Sequence, residues 1–239
     1  MLTVGLPNYC SPIAWLAMES LCRQETTHDW ELFIYEDSDK PLGLKFYKQY
    51  GERLAEAGCK NVRYWYSKER VPLSEKWLFF GKHAHRDSLG LMLQASDCYS
   101  EPKRIQTAVD ALALGYNWIQ SNEGCFYHID TGQLMLYRNN GGTGLNMTIG
   151  IKELRAIPRE AKWSGVDFWL ASNIIEPVVF IDESDNWQDG VDTDGFSRIS
   201  LTRKKQYKNP QPPFYKCAFE IQDLVPQGIA IALKATTSS

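Results

Sequence analysis

Three places in this 239-residue chain set polar side chains directly after a short apolar run. Asn8 and Tyr9 follow Leu2 to Leu6 and Pro7, Glu36 and Asp37 end the run from Glu31, and Ser96 and Asp97 follow Leu89 to Leu93. Amides, phenols and carboxylates at the ends of buried strands can read a nucleotide by hydrogen bonding, and ligands gather at the carboxyl ends of parallel strands. Taken alone, Glu36 to Asp39 reads better as a solvated turn before Pro41. His83 and His85 sit two apart but lack a third ligand nearby, so a solvated helix end accounts for them. Gly141-Gly-Thr-Gly144 lacks the Lys-Ser/Thr of a phosphate loop and precedes a strand. Arg203-Lys-Lys205 and Lys208 flank Tyr207, a basic segment suited to phosphate contact or simply to a solvated tail.

Those side chains need elements to hold them. Leu2 to Leu6 reads as a buried strand, and Ser11-Pro12 as a helix start with Ser11 as N-cap. Ile13, Leu16, Ala17, Ser20 and Leu21 form that helix's inner stripe. A strand over 31–36, a helix over about 43–57 stopping near Gly58, a strand over 61–66, a helix over 74–83 and a strand over 89–93 follow. Strand and helix alternate with the rhythm of a parallel, doubly wound sheet. Pro102 begins a helix to about 115. Short strands are expected at 118–121, 125–129, 134–137 and 145–149, with a turn at Asp130-Thr-Gly132. A brief helix over 151–157, a helix over 164–173 and a strand over 176–181 complete this part. Residues 1–181 read as one domain. Residues 182–239 are acidic, then basic, then Pro-rich, and read as a lid or tail of limited regular structure packed on it.

Composition sets outer bounds. Hydrophobic residues make up 44% and charged residues 23%, ordinary for a globular protein with a sizeable core. A net charge of −3 argues against wholesale coating of nucleic acid or an anionic membrane. No run approaches the ~20 apolar residues of a membrane-spanning helix, and no signal-peptide pattern opens the chain. The six cysteines form no CxxC pair, which argues against structural zinc and fits reduced thiols in the cytoplasm.

Thr3-Val-Gly-Leu-Pro-Asn-Tyr9, Glu31-Leu-Phe-Ile-Tyr-Glu-Asp37 and Gln94-Ala-Ser-Asp-Cys-Tyr99 with Pro102 resemble the GT-A fold glycosyltransferases of family 2. Thr143-Gly-Leu-Asn-Met147 and Gly165-Val-Asp-Phe-Trp169 follow in that family's order and approximate spacing. The resemblance covers about residues 1–180. It implies an α/β GT-A fold, Rossmann-like, with a mostly parallel central sheet flanked by helices. It also implies a hexosyl- or pentosyltransferase using a nucleotide-diphospho-sugar, a UDP-sugar first among them.

Within that resemblance Pro7, Asn8 and Tyr9 pack around base and ribose, and Asp37 accepts a hydrogen bond from the base. Asp97 is what remains of the Asp-x-Asp motif that holds Mn²⁺ or Mg²⁺ against the diphosphate, because Ala95 and Cys98 stand where other carboxylates would. It binds the metal alone or touches only the ribose, with Lys76 or Arg86 then balancing the phosphates; a turn cap is its structural alternative. Asp167 is implied as the general base of an inverting displacement, and at a helix N-terminus it would also answer the dipole. Trp163, Trp169 and Trp187 lie on the acceptor side. The acceptor reads as a glycan hydroxyl or a nucleic-acid base, DNA included. Two other classes stay open: a non-catalytic nucleotide-sugar-binding protein of this fold, and a nucleotidyltransferase.

Overall fold

The computed structural model describes residues 1–9, 11, 13–100, 102–121, 123–128, 133–138, 147–156, 178–181, 198–202 and 214–216. β1 (Leu2–Asn8) and β2 (Trp30–Asp37) are buried along their whole lengths, the signature of strands covered on both faces. β1 pairs in parallel with β2 and with β4 (Gly90–Leu93), and β2 in parallel with β3 (Cys59–Ser67). β6 (Trp118–Ser121), β9 (Thr148–Gly150) and β10 (Val178–Ile181) extend the sheet to seven strands, ordered β10-β6-β9-β4-β1-β2-β3. β9 runs antiparallel to both β4 and β6.

Side chains alternate between two helical layers. Val4, Leu6, Leu32, Ile34 and Met92 pack with α1 (Ala14–Leu21), α2 (Gly43–Lys48), α3 (Gly51–Glu56) and α5 (Arg104–Ala113). Phe33, Tyr35, Leu91 and Leu93 pack with Trp77 and Phe80 of α4 (Leu73–His83) and Leu154 of α6 (Ile151–Arg155). Gly5 admits α4 to close range, since a Cβ there would lie 2.6 Å from Phe80 Cδ2.

A second, five-stranded sheet is ordered β12-β8-β7-β11-β5. It joins β5 (Cys98–Ser100), the antiparallel hairpin β7 (Glu123–His128) and β8 (Gln133–Arg138), β11 (Arg198–Thr202) and β12 (Phe214–Lys216). β11 lies antiparallel to β5 and parallel to β7. Residues 198–202 and 214–216 therefore supply strands to this sheet.

Two local expectations change. Ser11 does not cap α1; the cap position is Ile13, with no side-chain cap hydrogen bond. The Ser11 backbone instead closes the turn before the helix, its N–H donating to Asn8 Oδ1 at 3.1 Å and its carbonyl accepting from Ala14 N at 3.2 Å. The single helix over 43–57 is two helices, separated where Tyr50 N bonds the Tyr47 carbonyl at 3.1 Å in a tighter i to i−3 turn. Gly58 ends the second with φ +88°, a conformation that favours glycine. The helix expected over 164–173 lies outside the described residues.

Candidate functional site

Parallel pairing brings the carboxyl ends of β1, β2 and β3 level. Asn8 is opposite Glu36, Glu36 opposite Tyr66, and Asp37 opposite Ser67. β4 ends on the other side of β1, where Gln94 N bonds the Gly5 carbonyl at 2.9 Å. The crossover through α4 carries the chain from β3 past β2 and β1 to β4. The winding therefore reverses between β1 and β4, the crevice where open α/β sheets bind ligands.

Glu36 organises the β1–β2 side. Its Oε1 accepts from Asn8 Nδ2 (3.0 Å) and Leu42 N (2.9 Å), and its Oε2 from Gly43 N (3.0 Å) and Tyr64 OH (2.9 Å). Tyr47 OH lies 2.8 Å from Asn8 Nδ2 and 3.4 Å from Glu36 Oε1. Burial, and then the Glu36 charge, push the Tyr47 phenol far above its ordinary pKa; burial and the Glu36 hydrogen bond do the same for Tyr64. Both phenols thus remain protonated donors. Asn8 is held by its whole amide, with its Oδ1 on Ser11 N.

Glu36, Asp37 and Ser38 are at most 1% exposed while Asp39 is exposed, so a solvated turn does not describe the first three. Asp37 Oδ2 accepts from Val71 N at 2.6 Å, and its Oδ1 pairs with the Lys76 ammonium. Lys76 Nζ also approaches the Asn8 carbonyl at 3.5 Å. Burial lowers the Lys76 pKa, and the bond and charge of Asp37 oppose that shift. Of the residues expected around a nucleotide, Asn8, Asp37 and Lys76 thus form one buried cluster. Pro7 is buried beside it in β1, opposite Tyr35. Tyr9 is 49% exposed, and the Arg70 guanidinium stacks 4.5 Å from its ring centroid.

Asp97 follows β4 at the same sheet edge and is half-buried, with Cys98 Sγ 3.4 Å from its Oδ1. Behind it Arg104 is buried and donates to Gln94 Oε1 (3.1 Å), Ser100 Oγ (2.7 Å) and the Leu93 carbonyl (2.7 Å), bracing the turn between β4 and β5. Ala95 offers no ligand atom and the Cys98 thiol is a poor one for a hard cation. Among the described residues no three His, Cys, Asp or Glu side chains come together to hold a metal. One carboxylate does not make a cation site unless water and phosphate oxygens complete the shell.

Arg86 precedes β4, at the opposite edge of the sheet, and its side chain is 89% exposed beside Asp87. It cannot share a phosphate with Asp97. His83 stacks on Phe79 with centroids 4.3 Å apart, and His85 is partnered by Asp87. Asp167, Gly141 to Gly144, the tryptophans at 163, 169 and 187, and Arg203 to Lys208 lie outside the described residues. Sequence reasoning named Glu36 only as a strand-end residue. Its role as hub was carried by Tyr47 and Tyr64, polar tips on aromatic bodies aimed at one strand end.

The chain is similar to S. aureus TarS 1–349, with a TM-score of 0.61 and 12% identity over 84% of this chain and 60% of that one. It is similar to TarS 1–349 in complex with UDP, with a TM-score of 0.53 and 13% identity over 79% and 63% of the two chains. It is also similar to the mannosyltransferase PcManGT from Pyrobaculum calidifontis, in complex with GDP-Man and Mn²⁺, with a TM-score of 0.51 and 11% identity over 86% and 57%. The chain spans about three fifths of the length of these proteins. No protein-family model matches it, and no curated protein sequence matches it either. At such identities the likeness establishes the fold. It is a GT-A-like glycosyltransferase fold with a mostly parallel central sheet flanked by helices, as the strand-end motifs implied. No helix among the described residues is long and apolar enough to cross a membrane.

Proposed function

We propose that this chain is a family 2-like glycosyltransferase that moves a sugar from a nucleotide-diphospho-sugar to an acceptor hydroxyl with inversion. The observation that carries the reading is the buried network of Asn8, Glu36, Asp37 and Lys76 at the carboxyl edge of β1 and β2. It stands beside the β1–β4 crevice of a fold whose similar structures hold UDP and GDP-Man.

Pro7, Asn8 and Tyr9 form the floor for base and ribose, with the half-exposed Tyr9 ring and the Arg70 plane offering stacking surface. Asp37 accepts from the base, and Lys76 pairs with that carboxylate and fixes its position. Asp97 faces the diphosphate. A divalent cation, when bound there with Asp97 as its protein ligand, offsets charge developing on the leaving group. Asp167 takes the proton of the acceptor hydroxyl as it attacks the anomeric carbon from the face opposite the diphosphate. The acceptor is a glycan hydroxyl. The reduced thiols of Cys22 and Cys59 accord with a cytoplasmic setting.

The test is a thermal-shift and hydrolysis screen of UDP-, GDP- and TDP-sugars with and without Mn²⁺. A donor at 100 times its Kd stabilises the native state by about 2.7 kcal/mol. Selective stabilisation with turnover supports a transferase, and stabilisation without turnover on any acceptor supports a binding protein of the same fold. Neither effect with any donor would sink the reading.

A further inference from the structure

The first turns of α4 hold two buried polar groups without a hydrogen-bond partner: the Ser74 hydroxyl and the Trp77 indole N–H. Each residue is 3% exposed. Spaced three apart, they lie one above the other on the helix face turned to the sheet, the face that continues to Phe80. A buried donor left unpaired costs roughly 1–3 kcal/mol. Two of them one turn apart on a single helix face call for a ligand.

Their position follows from the packing. Phe80 covers Gly5 in the middle of β1, and Ser74 stands six residues, about 9 Å, nearer the helix start. Asn8 stands three residues, about 10 Å, further along β1 than Gly5. Lys76, on the same turn as Ser74, reaches the Asn8 carbonyl at 3.5 Å, which pins this end of α4 to the strand ends. Trp77 belongs to the cluster that includes Leu93 of β4 and Met147. The two donors therefore sit over the β1–β4 crevice, on the side opposite α1 and α5.

With Asp37 already paired to Lys76 and Val71 N, the groups left over there favour an acceptor: the Ser74 hydroxyl is able to donate as well as accept. Trp77 has a donor and no acceptor. The first backbone N–H groups of an α-helix have no intrahelical partner, and the helix dipole is positive at this end. Pro72, at the cap position, has no N–H, and its carbonyl takes Glu75 N and Lys76 N, leaving the turn open toward its start. Glu75, the acidic residue of this turn, is exposed on the outer side. The matching ligand is made of acceptor oxygens carrying negative charge. Across the crevice the corner that would neutralise such a group through a metal is depleted, with Ala95 and Cys98 beside the lone Asp97.

We infer that Ser74, Trp77 and the N-terminal turn of α4 hold a phosphate oxygen of the donor diphosphate, and that this contact supplies much of the charge stabilisation the incomplete acidic corner cannot. The inference rests on the proposed donor site and names the groups that select its diphosphate.

The test compares full-length wild type, Ser74→Ala and Trp77→Phe in chelator by calorimetry, with UDP, GDP, uridine, guanosine and inorganic pyrophosphate as probes. Neither substitution removes a bond the free protein makes, so the ligand-free melting temperature of Ser74→Ala stays level or rises. Diphosphate affinity falls about tenfold in each variant, the size of a lost hydrogen bond to a charged group, while nucleoside affinity is unchanged. Undiminished UDP and GDP affinity in both variants overturns the inference and leaves the donor-site reading intact. A wild type that binds pyrophosphate through Ser74 but no nucleotide keeps the phosphate site and overturns the donor reading. Binding of neither nucleotide nor pyrophosphate overturns both.

Discussion

The Lys76 ammonium lies against the Asp37 carboxylate with side-chain exposures of 5% and 1%, joining the start of α4 to the end of β2. Removing one partner strands the other charge in the interior. Lys76→Met is therefore expected to cost about 3–5 kcal/mol, whereas the double variant Asp37→Asn/Lys76→Met recovers most of that loss. Urea unfolding of the single and double variants measures it. Equal losses in both would mean that the pair contributes packing and not charge compensation.

Glu36 makes a related prediction through its neighbours. Its carboxylate accepts from two backbone N–H groups and from the Asn8 and Tyr64 side chains. Glu36→Ala leaves those donors unpaired and should destabilise by roughly 3 kcal/mol or more. It should also weaken nucleoside binding, because Asn8 loses the partner that orients it. Glu36→Gln, which keeps both oxygen and shape at one atom, should restore part of each. Donor affinity unchanged in Glu36→Ala would remove Asn8 from the site.

Much of this cluster was legible from sequence, and the reason is physical. Leu2 to Leu6 and Leu32 to Tyr35 are apolar enough to demand burial on both faces, so the polar residues that end them must stand at a sheet edge. The partnerships were not legible. Lys76 carries no mark that separates a phosphate-facing lysine from one folded onto Asp37, since the choice depends on how close α4 approaches β1. Gly5 sets that distance, and as a single glycine inside an apolar run it reads only as a weak strand position. β11 was hidden for another reason: five residues paired with strands some 75 to 100 positions earlier leave only a short alternation in a charged, Pro-rich stretch. The Ser11 cap was misplaced because the helix starts two residues later, after a turn in which Ser11 N–H donates to Asn8 Oδ1.

Gly5 carries the third prediction. A Cβ there would meet Phe80 Cδ2 at 2.6 Å and Leu91 Cδ1 at 3.0 Å. Gly5→Ala should cost about 1–3 kcal/mol through overpacking. Because the strain pushes on α4, diphosphate affinity should fall with stability. Adding Phe80→Leu should return part of both. Stability lost without any change in affinity would show that α4 does not position the ligand.

Alkaline stability follows from the buried thiols. Burial raises Cys59 from 9.0 to about 11 and Cys22 from 9.0 to about 12. The unfolded chain then releases these protons first, so the stability they contribute is complete below pH 9 and is lost as pH rises through 9 to 12. Lys76, with its pKa lowered, acts in the opposite sense, its penalty easing as pH rises toward 10.5. Cys22→Ala/Cys59→Ala should therefore show a flatter fall in unfolding free energy above pH 9 than wild type. Parallel curves would mean that neither thiol titrates with unfolding.

The last prediction concerns the chemical step. Asp167 lies outside the described residues, so kinetics and not distance must establish its part. If its carboxylate removes the acceptor proton in the transition state, Asp167→Asn lowers kcat by about 10²–10⁴. Donor affinity should not change, because the base touches the acceptor and not the nucleotide. The acid limb of the kcat/KM profile should disappear with the carboxylate, since that limb reports protonation of the base. Ser74→Ala should behave in the reverse way, weakening diphosphate binding and keeping the acid limb. This contrast separates a proton acceptor from a leaving-group contact within one donor cleft. Full turnover in Asp167→Asn would move the base elsewhere in the chain without disturbing the donor site.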